Sequence, residues 1–374
     1  MRFFATAAKG TEPALRDELR ELGFDSVRAD RGGVHFEGAA GEAWRACLWS
    51  RIAIRMLSPV ASFSAPDERA YYEAVHAIDL DPVLTPKHTL VVSSACRSSR
   101  ITHTEYLNQL TKDAVVDRIR ERHGARPSVD KQNADVHLFV HLVKDEATLY
   151  LDLAGEPLHR RGYRAASAEA PLKESLAAAV VRYSGWDRES VFVDPMCGSG
   201  TLAIEAALFA KNVAPGLARE RFGFERWASF DAGARQAMSE LREAARSAIR
   251  ASAPPILARD ASDRALKLAR GAARSAGVDV TFEVGPLADF EHADAGAIVS
   301  NPPYGKRLER ALDLPRDLAR LVDRHPSARV ALLMAADQAL GRTRRKPEAP
   351  RQVFNGNIEC VVRVWPAKSP KPED

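Results

Sequence analysis

The sequence predicts an α/β protein: a Rossmann-like domain of long helices and single apolar strands, preceded by two smaller α+β units. Three observations carry that prediction. From about residue 171 onwards, helices alternate with short apolar strands, the pattern of a doubly wound parallel sheet. The first of those strands runs into a glycine loop and then at once into a helix. Before residue 165 the elements are shorter and include a two-stranded hairpin signature.

In chain order, Thr11 is placed to cap a helix with Leu15, Leu19 and Leu22 at helical spacing, and Gly23 ends it. Gly32-Gly33 reads as a turn before the strand Val34-His35-Phe36, and a helical run surrounds Trp44 to Trp49. Leu90-Val91-Val92 is a strand, and Thr104 a cap for a helix carrying Leu107, Leu110, Ala114, Val115 and Ile119. Val136, Leu138, Val140 and Leu142 alternate with other residues; beyond the turn at Lys144-Asp145-Glu146, so do Leu149, Leu151 and Leu153, which predicts a hairpin. Residues 154–170 read as a linker. Then follow a helix from Leu172 to Tyr183, the strand Val191-Phe192-Val193, a helix from Thr201 to Ala210 and a helix-rich insertion at 228–250. The strand Pro255 to Ala258, a helix from Asp263 to Ser275, and strands at Val280 to Val284 and Ala297 to Ser300 complete the pattern. The domain limits expected are 1–60, 61–164 and 165–374.

Length and composition narrow the function classes. A chain of 374 residues with 45% hydrophobic content holds two or three folded domains. The net charge of +4, from 54 basic and 50 acidic residues, does not by itself demand a nucleic-acid partner, so any such surface must come from local clusters. The candidates are His159-Arg160-Arg161 with Arg164, and Arg342, Arg344, Arg345 and Lys346. Cys47, Cys96, Cys197 and Cys360 are scattered without a CxxC pair, which argues against a disulfide framework or a zinc site and fits a reducing cytoplasm. The start lacks a signal-peptide core and no apolar run reaches membrane-spanning length, so a soluble protein with no membrane partner is expected. His137 and His141 could share a strand face, but no third ligand stands nearby and no metal is expected.

The glycine loop reads Asp194-Pro195-Met196-Cys197-Gly198-Ser199-Gly200-Thr201. Glycines there let a ligand approach the backbone. A phosphate-cradling P-loop would need lysine after the last glycine, and the dinucleotide fingerprint needs a third glycine where Ala203 stands. The acid at the strand end would repel a pyrophosphate and suits a cationic ligand such as S-adenosylmethionine, which carries an ammonium and a sulfonium. The bland alternative is a tight turn with a capping acid. Asp260, closing the next strand ahead of Ala261, can accept ribose hydroxyls or serve as an ordinary helix cap.

Ser300 leads into Asn301-Pro302-Pro303-Tyr304-Gly305. Two prolines at a strand's C-terminal edge fix a rigid extended turn, at the edge where such sheets place ligands. An exocyclic amine on a nucleic-acid base is a poor nucleophile because its lone pair is delocalised into the ring. The Asn301 side-chain oxygen and the Pro302 carbonyl can accept from the amino hydrogens and bias the nitrogen towards tetrahedral geometry, with positioning supplying much of the rate. Tyr304 offers a face for an extruded base. Cys197 has no partner base and reads as packing. Lys173-Glu174 stand either near the cofactor's amino-acid end or as solvated helix-start charges.

These residues resemble class I S-adenosylmethionine methyltransferases of the amino-methylating type. Glu169 to Glu174, Asn355 to Cys360, Leu151 to Gly155 and Leu158 to Arg164 extend the resemblance to the THUMP-containing RNA guanine-N2 methyltransferases, above all the bacterial 23S ribosomal RNA enzymes, from Phe4 to Trp365. Lys112 to Asp117 and Arg126 to Asp130 resemble THUMP segments. The resemblance implies a ferredoxin-like unit and a THUMP module that bind RNA, ahead of the catalytic domain. It implies S-adenosylmethionine held by Asp194, Pro195, Met196, Cys197, Gly198, Gly200, Thr201, Asp260, Ala261, Leu287 and Asn301, catalysis by Asn301, Pro302, Pro303 and Tyr304, and RNA contacts by Lys112, Arg160, Arg161 and Arg164. The expected product is N2-methylguanosine in 23S ribosomal RNA or an assembling large subunit, made by a monomer. A transfer-RNA guanine-N2 enzyme, an adenine-N6 enzyme and a non-catalytic RNA-binding assembly factor are the rival readings. Pro286 stands where the family usually has an Asp that reads the adenine amino group; Asp289 or a backbone carbonyl could substitute. Ala272 and Ala154 replace a common Asn and Ser.

Overall fold

The computed structural model describes residues 1–164, 172–304 and 313–368. Glu169, Ala170, Pro171, Gly305 and the tail from residue 369 therefore lie outside the described residues. The N-terminal half comprises β1 (Arg2–Thr6), α1 (Glu12–Glu21), β2 (Arg28–Asp30), β3 (Gly33–Glu37), α2 (Ala40–Trp49), β4 (Arg55–Ser64), α3 (Glu68–His76), β5 (Thr89–Arg97), α4 (Thr104–His123), β6 (Ser128–Val129), β7 (Val136–Val143) and β8 (Glu146–Asp152). The C-terminal half comprises α5 (Glu174–Tyr183), β9 (Val191–Asp194), α6 (Thr201–Ala210), α7 (Ala232–Ser247), β10 (Ile256–Asp260), α8 (Asp263–Ala276), β11 (Thr281–Val284), β12 (Ala295–Ser300), α9 (Leu314–Arg324), β13 (Arg329–Ala335), β14 (Arg351–Asn355) and β15 (Ile358–Trp365).

Local chemistry accounts for many boundaries. Asp67, Asp231 and Ser262 accept from backbone amides of α3, α7 and α8, and Gly124 and Gly277 end α4 and α8 in the left-handed conformation. Lys144 and Asp145 both have positive φ, the geometry that matches a two-residue turn to the twist of the β7–β8 hairpin. Two expected caps differ. The Thr11 hydroxyl donates back to the Ala8 carbonyl, and Thr104 is the first residue of α4 behind an uncapped His103.

The first two units share a single sheet, in the order β2-β3-β1-β4-β8-β7-β5-β6. The long β4 runs past residue 60 and joins them, pairing with β1 along one part and β8 along the other. Its serines and Pro59 hide it from a periodicity search. The second sheet runs β11-β10-β9-β12-β13-β15-β14. It is parallel except for β15, which lies antiparallel between β13 and β14. The alternation of helices and strands stops after α9 and β13, and the β14–β15 hairpin closes the edge with a strand the wholly parallel expectation did not contain. The chain leaves β9 for β10 and β11 on one side and returns to β12 on the other. The crevice between the C-terminal ends of β9 and β12 is therefore the topological switch point, where open sheets of this kind bind ligands.

The expected linker is not loose over its described part. Leu158 and Tyr163 are buried, and the Arg161 guanidinium donates to the Leu158 and Arg51 carbonyls. Among the described residues, no helix is long and apolar enough to cross a membrane.

Candidate active site at the switch point

Asp194 ends β9 and is buried. One carboxylate oxygen accepts from the Ser300 hydroxyl at 2.7 Å and from the Met196 amide at 3.2 Å. Burial pushes its pKa up to about 7; those two bonds pull against that shift and the nearby Asp260 adds to it. A carboxylate held this far from water favours a cation beside it. Ser300, the last residue of β12, thus ties the two strands that flank the crevice, a role the sequence did not single out.

Beyond Asp194, Pro195 and Cys197 are buried and Met196 is half-buried. Gly198 has φ +53°, and a Cβ built on it would meet nothing within 4 Å. Gly200, at φ +79°, is different: its Cβ would come within 3.0 Å of Ala269 on α8, so this glycine serves helix approach. Asp260 accepts from the Gly198 amide at 2.8 Å and the Ser262 amide at 2.9 Å, one bond to each oxygen. A lone pair on each remains, and the carboxylate serves both loop and helix start. Ala261 is exposed beside it, and Leu287 opens a short 3-10 turn, Leu287–Asp289, packed against the core cluster of β12 and β13. Burial pushes the Cys197 thiol far above its ordinary range, which disfavours the thiolate a nucleophile needs. Pro286 and Asp289 are both exposed.

Asn301 follows β12 directly. Its side-chain oxygen is buried and has no hydrogen-bond partner among the described residues. A buried acceptor without a donor costs on the order of 1–3 kcal/mol, so this atom awaits one. Pro302 is buried, and the Pro303 carbonyl accepts from the Gln338 side chain at 3.1 Å. The Tyr304 hydroxyl accepts from the Asn355 amide, at the turn between β14 and β15, at 2.6 Å. Burial pushes the Tyr304 phenol up, while donation from Asn355 and Asn301 pulls against it. Gln338 gave no sequence signal. Asn355 did, within the segment quoted above, but without an assigned task.

The remaining expected site residues separate. Thr201 opens α6, but its hydroxyl is 3.2 Å from an Arg164 nitrogen. Arg164 is half-buried, donates also to the Leu172 carbonyl and pairs with Glu174 at 3.2 Å. Arg161 is 4% exposed and lies 3.6 Å from the buried Glu205. The Arg161 guanidinium is occupied inside the protein and does not present itself to RNA, which corrects that expectation; Arg164 keeps a partly exposed side chain. Arg345 is likewise buried, clamping the Val322, His325, Ala328 and Trp365 carbonyls. Arg160 is exposed, paired with Glu156, and Lys112 pairs with Asp113 on the surface of α4.

Residues 161–363 match the family described as RMKL-like, methyltransferase domain; residues 2–57 match the RlmL ferredoxin-like domain and residues 65–152 the THUMP domain. The ribosomal RNA large subunit methyltransferase K/L of Syntrophotalea carbinolica is 41% identical over 375 residues, covering 96% of this chain and 53% of its own length. That of Aeromonas salmonicida is 38% identical, covering 97% of this chain and 54% of its own. The chain spans about half the length of these curated relatives. Among solved structures, the SMU.472 methyltransferase complexed with SAH is similar at TM-score 0.87 and 29% identity, over 99% of both chains. A predicted N6-adenine-specific DNA methylase from Listeria monocytogenes is similar at TM-score 0.84 and 30% identity, over 98% of this chain and 96% of that one. The sequence motifs, the switch-point crevice and these matches agree: the chain belongs to the RMKL-like methyltransferase family, with an RlmL-type ferredoxin-like domain and a THUMP domain ahead of the catalytic fold.

Proposed function

We propose that this protein transfers a methyl group from S-adenosylmethionine to the exocyclic N2 amino group of a guanine in RNA, and that the RNA is 23S ribosomal RNA or an assembling large subunit. The carrying observation is the buried, unpartnered Asn301 side-chain oxygen at the switch point. The cofactor's fit rests on two further features. Gly198 leaves open space beside the loop backbone, and buried Asp194 favours a cationic neighbour. The SMU.472 relative was solved with SAH, the product form of that cofactor. Asp194 would hold the ligand's positive end, and Asp260 the ribose hydroxyls. Bound there, the cofactor supplies an electrophilic methyl on its sulfonium.

The chain's own residues prepare the amine. The Asn301 oxygen and the Pro302 carbonyl accept from the amino hydrogens and draw the nitrogen lone pair out of the ring. The proline pair holds these acceptors rigidly, and Gln338 fixes the Pro303 carbonyl behind them. Tyr304, held by Asn355, supports the base by stacking. An amide oxygen is too weak a base to keep the released proton, which leaves to water.

The loop chemistry serves adenine N6 equally well, and the Listeria relative carries that name. The curated relatives are named for ribosomal RNA, which with the THUMP match supports an RNA target, and the resemblance of the sequence to guanine-N2 enzymes carries guanine over adenine. Four cysteines left as free thiols suit action in the cytoplasm. Nucleoside mass spectrometry of ribosomal RNA, from cells with and without the gene and after treatment with purified protein, tests the reading. N2-methylguanosine should fall in the deletion and return on treatment. A change confined to N6-methyladenosine, or to transfer RNA, would replace it.

A further inference from the structure

Strand β14 ends the seven-stranded sheet, and among the described residues it pairs with a strand, β15, on one side only. The loop between β1 and α1, part of the ferredoxin-like unit, lies along its other side. The Phe354 amide donates to the Lys9 carbonyl at 3.0 Å, and the Lys9 ammonium sits 3.8 Å from the centre of the Phe354 ring. Gly10 has φ +88°, and a Cβ there would run into the Gln352 carbonyl and come within 2.8 Å of the Val353 Cα. The loop's own shape is fixed from behind. The Gly10 amide donates to Glu12 at 2.6 Å, the Thr11 hydroxyl to the Ala8 carbonyl at 2.7 Å, and the Tyr183 hydroxyl to the Gly10 carbonyl at 2.9 Å.

The residue after Phe354 is Asn355, whose side-chain amide donates to the Tyr304 hydroxyl. Val353 and its strand partner Cys360 are buried, and Tyr304 packs against the cluster they belong to. One edge of β14 is thus gripped by the N-terminal unit while its end holds the aromatic ring that follows the Asn301 and Pro302 acceptors. A ring that supports a base for in-line transfer must be placed closely, since a displacement of about 1 Å can cost on the order of 100-fold in rate.

We propose that Lys9 and Gly10 are positioning residues for the methyl transfer: the ferredoxin-like unit fixes Tyr304 through β14 and Asn355, a task separate from any contact with RNA. It rests on the amino-methylation reading of the preceding section. The test is a double-mutant cycle in the full chain. Gly10→Ala and Asn355→Ala should each lower kcat by roughly 10-fold, with KM for RNA and affinity for S-adenosylmethionine close to wild type. Combined, they should cost no more than the larger single loss, because both act through one contact. Gly23→Ala is the control: its φ of +85° lies in the same unit, but its Cβ would meet nothing nearer than 3.9 Å, and kcat should stay at the wild-type value. NMR of protein labelled at the tyrosine Cζ reads the ring without substrate. The Tyr304 signal, identified by its loss in Tyr304→Phe, should move in Gly10→Ala and not in Gly23→Ala. Wild-type kcat or an unmoved signal in Gly10→Ala overturns the proposal, as does an equal movement in Gly23→Ala or single losses that multiply in the double variant. Should Gly10→Ala unfold, Lys9→Met, which keeps the stem and removes the charge, takes its place, and an unmoved Tyr304 signal there overturns the proposal. Wild-type protein that methylates no nucleic acid defeats the functional reading, while the Tyr304 signal still decides this inference.

Discussion

Asp194 carries a charge whose cost the cofactor should relieve, and replacing it by asparagine isolates that cost. Its pKa stands at about 7 in the folded protein because burial penalises the carboxylate, against about 3.9 in an unfolded chain. Between those values the folded state holds a proton that the unfolded state has lost, so stability is full below about pH 4 and falls as pH rises towards 7. Each pH unit in that window costs about 1.4 kcal/mol, which makes roughly 3 kcal/mol between pH 5 and a plateau above 7. The amide in Asp194→Asn cannot ionise, yet its oxygen can still accept from Ser300 and Met196, as the carboxylate does. Without ligand, Asp194→Asn should therefore gain on wild type as pH rises from 5 to 8. For a domain of this size the difference in thermal midpoint should widen by roughly 6–12 °C. Scanning calorimetry of both proteins across that range reads it directly. A gap that stays constant with pH would refute the argument, because a merely steric effect of the amide does not titrate.

The same group predicts proton-linked ligand binding. A cationic cofactor draws Asp194 into its ionised form, so affinity for S-adenosylmethionine should fall as pH drops below 7, with up to one proton released per ligand near neutrality; calorimetry in buffers of differing ionisation enthalpy checks it. Asn301→Ala should lower turnover by roughly 100- to 1,000-fold while cofactor affinity stays close to wild type, and unaltered turnover would remove Asn301 from the mechanism. Arg160→Glu should weaken RNA binding in a salt-dependent way and reduce the salt slope by about one, readable by gel shift at several ionic strengths. Arg161→Ala should instead destabilise the fold by about 3–5 kcal/mol, because it removes the cation beside buried Glu205, which keeps only the Tyr163 hydroxyl among the described residues, and frees the Leu158 and Arg51 carbonyls; denaturant unfolding distinguishes the two arginines.

Much of the catalytic fold could be read from the chain. The helix from Thr201 to Ala210 has the bounds its apolar spacing predicts, and α8 is one residue longer than expected. Those elements combine strong periodicity with punctuation by Gly, Ser or Pro. The strand β4 could not be read that way, because Arg55 to Ser64 has no clean alternation and is a strand through its pairing on both sides. The arginine cluster misled for a related reason. A run such as His159-Arg160-Arg161 looks like a solvated patch, but the turn sends adjacent side chains different ways, and one guanidinium lies inside against Glu205 while its neighbour faces solvent.

Asn301-Pro302-Pro303-Tyr304 and Asp194 to Thr201 stood out as candidate segments from sequence alone, because rigid prolines, an amide and glycines at a strand end specify local geometry without help from distant residues. Only the tertiary structure decided what supports them. Ser300 reaches Asp194, Gln338 reaches Pro303 and Asn355 reaches Tyr304 because parallel strands distant in sequence end side by side at the switch point. The burial that raises the Asp194 pKa and leaves the Asn301 side-chain oxygen without a donor is likewise a property of the packed sheet, since desolvation depends on everything that surrounds a group and on none of its neighbours in sequence alone.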